Sequence, residues 1–460
     1  MLSNIIRLAW DYEKYQMLNY RTEYKNMTKL DPDVIVNQAQ DAHERTSVLI
    51  EGLSEEQLIG PQLSIVNPLR WEIGHAAYFY EYWVLRQHMK QSPIIANADD
   101  LYNSMTIAHD DRWELPLPST EDTLAYIQVV LDNFKTYMAG GEDSVRDYLA
   151  QYSVLHHDMH NEAYTYTRQT LDYPAPALIR PEKYSSPPIQ KDSLSGDAHI
   201  PGGVFMLGAT RQDGFVFDNE KWAHPVEISP FSIAKAAVSN ADFLGFVEAG
   251  GYEMREYWDD DGWQWRQQSQ LLHPVYWRHT GDGWRIKQFD RWEAMPMNAA
   301  LIHVCWFEAQ AYCRWAGRRL PTEAEWEAAA AAEPSADGCS LSKVKRRFPW
   351  GDTMPRSDQA NLDGYALATV DVAAHAAGDS AFGCRQMIGN VWEWTQNSFS
   401  SYPGFEPDMY VDYSQPLFGN TKVLRGGAWA TRSRLIRNSW RSYYGPERND
   451  VFAGFRSCAL

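Results

Sequence analysis

Apolar residues recur at helical spacing through the first 170 positions and then change rhythm. Tyr152, Leu155, Met159 and Ala163 fall on one stripe of a helix, and Trp71 to Phe79 is almost continuously apolar. Capping signals frame four helices. Asp31-Pro32 sets an N-cap before a proline at the first helical position and predicts a helix to about Leu53. Asn67-Pro68 repeats the device and predicts a helix to about His88. Ser119 with Asp122 resembles a capping box, and Gly140-Gly141 ends the helix it starts. A fourth helix begins near Asp143. The pattern predicts a helical bundle over residues 1–171.

Residues 172–195 hold Pro174, Pro176, Pro181, Pro187 and Pro188 with several serines, which predicts a semi-rigid linker. From residue 196 to 460 short apolar runs alternate with Gly, Pro and Asp. Ile200 to Gly208 reads as a turn and strand, and Asn240–Gly250 and Trp306–Gly317 read as helices. Thr322 and Glu325 form a capping box for a further helix. The whole predicts an α+β protein of two domains.

Composition narrows the function classes. A net charge of −18 opposes polyanion partners, so DNA and RNA are not expected. No apolar run reaches membrane-spanning length, and the opening residues lack a signal-peptide core, so a cytoplasmic, membrane-free protein is expected. Five cysteines without framework spacing predict reduced thiols. The 19 tryptophans, concentrated after residue 200, suit a loop-rich domain that buries large side chains.

The fourth helix carries the chemistry. His156 and His160 stand four residues apart and so share a face, as two ligands to one ion would. A third must come from elsewhere, and His75 on its apolar helix is the candidate. His157 points a quarter-turn away and is expected at the surface or behind the ligands. Glu162 is expected to orient a ligand imidazole or make a helix contact.

Five phrases in the second half carry a resemblance: Ile200-Pro201-Gly202-Gly203, Leu320-Pro321-Thr322-Glu323-Ala324-Glu325-Trp326-Glu327, Gly389-Asn390-Val391-Trp392-Glu393-Trp394, Leu424-Arg425-Gly426-Gly427 and Ala453-Gly454-Phe455-Arg456. In that order they resemble the formylglycine-generating-enzyme fold, which is C-type-lectin-like. The first domain resembles a DinB-like four-helix bundle. Fused in this order, the two resemble the non-haem iron sulfoxide synthases of ergothioneine and ovothiol biosynthesis, and Asn67–His75 and Asp450–Cys458 look most like the selenoneine-synthase branch.

That resemblance implies Fe(II) held by His75, His156 and His160. It implies small-molecule partners: hercynine, a sulfur or selenium donor, and O2. It assigns a proton-donating catalytic tyrosine to Tyr402 and a donor carboxylate contact to Arg448, with a substrate cavity between the domains roofed by Tyr402 and residues 440–448. Two positions depart from members that use γ-glutamylcysteine. Met159 stands where they carry a glutamine that touches the acceptor, and Ser442-Tyr443-Tyr444 replaces an Asn-Trp-Asp run. Both changes move the expected donor toward cysteine or a selenosugar, while Tyr443 and Tyr444 suit a quaternary ammonium. Thr431 and Ile436 replace the copper-binding cysteines of formylglycine-generating enzymes. Two other readings stand beside this one: an ovothiol-type synthase joining cysteine to histidine, and a metal-holding bundle with a partner-binding module. Read alone, Tyr402 would be a turn residue packed on Pro403. The resemblance leaves open whether the second domain holds calcium.

Overall fold

The computed structural model describes residues 31–141, 143–178 and 194–460. Among the described residues, four long helices build the first domain: α1 (Pro32–Ile50), α2 (Leu69–Phe79), α3 (Thr120–Met138) and α4 (Ser144–Thr170). Three of the caps predicted for this domain form, but Asn67 does not cap: its helix starts after Pro68 without a side-chain cap, and the Asn67 side-chain carbonyl accepts from Arg112 instead. Asp31 accepts from the Asp33 N–H, Ser119 from Asp122, and Asp143 from both Val145 and Arg146. The helix that carries His75 continues as a π-helix through Tyr80–His88, where the predicted single helix ends. The linker expected over 172–195 falls largely outside the described residues. Among the described residues no helix is long and apolar enough to cross a membrane.

The second domain is built on two four-stranded sheets. One runs Arg441–Tyr444, Lys422–Arg425, Trp392–Ser398, Ala453–Gly454, with only the last pair parallel. The other joins Asp197–Ile200 through Phe231–Ala234 to Cys458–Ala459 and Arg318–Arg319, so the domain's first and last strands share a sheet. The helix Glu323–Ala331 starts at the predicted Thr322 capping box.

Four of the five motif phrases meet in its buried core through ion pairs. Arg456 grips Glu393 with two bonds of 2.7 Å, and the Trp326 indole donates to the same carboxylate at 2.8 Å. Arg425, fully buried, bonds Glu323 and Glu327. Buried charges survive only when paired and hydrogen-bonded. These phrases therefore weld the scaffold together; they do not form the reactive site.

The second domain holds α4 along its length. Arg434 takes Asp158 with two bonds (2.5 and 2.7 Å) and also reaches Asp41 on α1. Glu162 accepts from the Trp392 indole at 2.7 Å and from the Thr431 hydroxyl at 2.5 Å. Gln169 accepts from the Phe289 N–H at 2.6 Å.

Candidate metal centre

On α2, Trp71, His75 and Phe79 recur four apart and form one face. On α4, Tyr152, His156 and His160 do the same. The two faces meet, and ligand atoms of His75, His156 and His160 all lie within 4.8 Å of one another. Flat packing fixes the rings: Trp71 stacks on His75 at 4.8 Å between centroids, and Phe79 on His156 at 3.9 Å.

Hydrogen bonds fix the tautomers. The Tyr102 carbonyl can only accept, so Nδ1 of His75, 2.8 Å away, carries the hydrogen and Nε2 presents a lone pair. The Glu72 carboxylate does the same for His160, again at 2.8 Å from Nδ1. Nε2 of His160 then faces Nε2 of His156 at 3.2 Å, while Nδ1 of His156 is buried without a partner. Burial, then neighbouring imidazoles, hold His75 and His156 well below the usual imidazole range, so both are neutral. Converging nitrogen lone pairs, steadied from behind by a carboxylate and a carbonyl, fit a divalent transition metal.

His157 departs from expectation. It is buried, and its Nε2 meets the Thr46 hydroxyl at 2.8 Å, tying α4 to α1. Glu162 makes a contact to the second domain and not to an imidazole of the cluster; Glu72 is the carboxylate that orients one.

The tyrosine is a correction. Tyr402 is buried in the scaffold, donating to Glu323 at 3.0 Å with the Arg441 guanidinium 4.0 Å from its ring. Tyr410, later in the same loop, is the one that reaches the histidines. Its ring lies 5.8 Å from that of His156 and 5.2 Å from Phe79, and its hydroxyl is 3.2 Å from the Ser104 hydroxyl of the bundle. Burial raises its pKa, so it stays protonated at neutral pH. Tyr413 donates to the Met159 sulfur at 3.8 Å. The sequence offered three tyrosines in one irregular loop and nothing local to choose between them.

The remaining expected contacts are half-buried at the domain boundary. Tyr443 stacks on Phe399 at 4.2 Å and meets Tyr413 at 5.9 Å. Tyr444 lies 5.2 Å from the Arg448 guanidinium. Arg448 itself is committed to Asp450 (2.6 and 2.7 Å) and to the Ile65 carbonyl. A cation missed in the sequence is Arg112. It stacks on Trp71 at 4.0 Å and donates to Asn67 at 2.7 Å; its Nε is buried without a partner, and no carboxylate pairs with it among the described residues.

Residues 184–459 match the sulfatase-modifying factor enzyme 1-like domain, and residues 38–162 match the DinB superfamily. The hercynine oxygenase of Mycolicibacterium smegmatis is 35% identical over 428 residues, spanning 90% of this chain and 96% of that protein. The chain belongs to the hercynine oxygenase family. The hercynine oxygenase of Mycobacterium tuberculosis is 33% identical over 430 residues, 92% of this chain and 98% of that protein. A formylglycine-generating enzyme of Thermomonospora curvata is 30% identical but spans only 58% of this chain. Thr431, at a position where such enzymes were expected to hold copper through cysteine, instead bonds Glu162 of the bundle in this family member.

Proposed function

We propose that this chain is an Fe(II)- and O2-dependent oxidoreductase that joins a thiol or selenol to the imidazole carbon of hercynine. The observation that carries the reading is Tyr410, a protonated phenol from the second domain set against the three-histidine cluster of the first. The names of the family relatives support hercynine as the acceptor.

In the reaction the imidazole C–H and the donor S–H or Se–H bonds break. A C–S or C–Se bond forms, dioxygen takes four electrons, and one oxygen ends on the chalcogen as the other leaves as water. Fe(II) bound by His75, His156 and His160 would supply the activation of dioxygen. The chain supplies the rest. Tyr410 delivers a proton that keeps the donor from being oxidised alone. The faces of Tyr443 and Tyr444 receive the trimethylammonium group, and Met159 lies beside it. Arg112, which forms no ion pair among the described residues, takes a substrate carboxylate; Arg448, already paired with Asp450, braces the closing segment.

The test is a crossed assay of the iron-loaded protein with hercynine or histidine against γ-glutamylcysteine, cysteine and a selenosugar, following oxygen uptake and products. Coupled product with hercynine is expected, with cysteine or the selenosugar as donor. Coupling with histidine alone would give the ovothiol-type reaction. Oxygen uptake that ignores every substrate pair would overturn the enzyme reading.

A further inference from the structure

Tyr410 sits in a loop between Trp392–Ser398 and Lys422–Arg425 whose only regular structure is two short 3-10 turns. A strand ladder does not hold it, so its place must come from side chains. Asp218, fully buried, closes it from outside. One carboxylate oxygen accepts the Asp408 N–H at 3.3 Å, and the other accepts the Ser414 hydroxyl at 2.6 Å. Both ends of segment 408–414 therefore rest on a single side chain far away in sequence.

Asp408 carries the connection onward. Its Oδ1 meets the Lys221 ammonium at 2.6 Å, and its Oδ2 accepts the Tyr148 hydroxyl. Tyr148 belongs to α4, about two turns before His156. The Lys221 ammonium lies 5.6 Å from the Tyr148 ring, so the lysine braces both partners. Two carboxylates and one ammonium in a buried site cost desolvation that an apolar plug of the same size would not. What they add is direction: charged hydrogen bonds hold angles and distances that apolar contacts leave loose.

We infer that Asp218 and Asp408 are positioning residues that fix the Tyr410 hydroxyl relative to His156 through Tyr148, and thereby set how much of the oxygen consumed ends in coupling. The inference rests on the role proposed above for Tyr410.

The experiment compares Y410F, Y148F and S414A with the unaltered full-length protein, each loaded with iron. Y148F and S414A each remove one hydroxyl that bonds an acidic anchor. Metal content, thermal midpoint, KM and kcat for coupling, and the ratio of coupled product to oxidised donor at matched oxygen uptake are measured. Y410F gives the scale. Y148F and S414A are expected to retain iron and substrate KM yet shift the product ratio toward oxidised donor by about tenfold, since misplacing a reacting group by ~1 Å costs up to about 100-fold. If Y410F shifts the ratio and neither Y148F nor S414A does, the anchors are merely structural and the inference falls while the reading of Tyr410 stands. If Y410F leaves the ratio unchanged, the role of Tyr410 falls and takes the inference with it.

Discussion

Glu72 accepts the Nδ1–H of His160 at 2.8 Å, joining α2 to α4 at the point where both present imidazoles. A carboxylate behind a ligand histidine fixes its ring and raises its basicity, and losing such a partner typically costs about 10–100-fold in metal affinity. Glu72→Gln should therefore bind iron about 10–100-fold more weakly with secondary structure intact. Competition against a chromophoric chelator measures this, and equal affinity would remove Glu72 from the metal centre.

Gly74 lies beside His75 and under a ring. A Cβ there would stand 2.2 Å from Tyr102 Cε1 and 2.5 Å from Cζ. Tyr102 is fully buried, and its carbonyl holds Nδ1 of His75. Gly74→Ala must displace that ring, at an overpacking cost of about 1–3 kcal/mol, and should lose iron as the carbonyl moves. Calorimetry with metal analysis tests it; an unchanged midpoint and full metal content would show that the ring repacks harmlessly.

Tyr402→Phe separates scaffold from chemistry. It removes one bond to Glu323, which keeps Arg425 and Arg441 as partners. The expected loss is about 1 kcal/mol of stability, with the product ratio unchanged. A shifted ratio would return Tyr402 to the mechanism.

Glu308 gives the pH dependence a definite sign. Burial pushes its carboxyl up to about 7, against bonds donated by the Tyr252 hydroxyl and the Cys305 N–H. In the unfolded chain the same group titrates near 4.5. Between those values the folded state holds a proton that the unfolded state has lost. The contribution is fully present below the unfolded pKa and is lost as pH rises through the folded one. The thermal midpoint of the unaltered protein should thus fall relative to that of Glu308→Gln from about pH 5 to about pH 7. Parallel midpoint curves would contradict this assignment.

The sequence by itself determined what local rules govern. Asp31, Ser119, Asp143 and Thr322 cap helices because a side-chain oxygen three residues or fewer from a free N–H needs no distant help. The pairing of His156 with His160 follows from helical period alone, and an apolar stripe turned His75 inward to join them. Four of the five motif phrases marked the second domain because their buried ion pairs demand those residue types. Only the tertiary structure decided which tyrosine reaches the histidines, that Glu72 and not Glu162 orients an imidazole, and that Arg448 is spent on Asp450 while Arg112 forms no ion pair among the described residues. Each of those outcomes depends on a partner with no local signature. The loop that carries Tyr410 is held by Asp218, and Glu162 is claimed by Trp392 and Thr431, contacts between segments of the chain that only folding brings together.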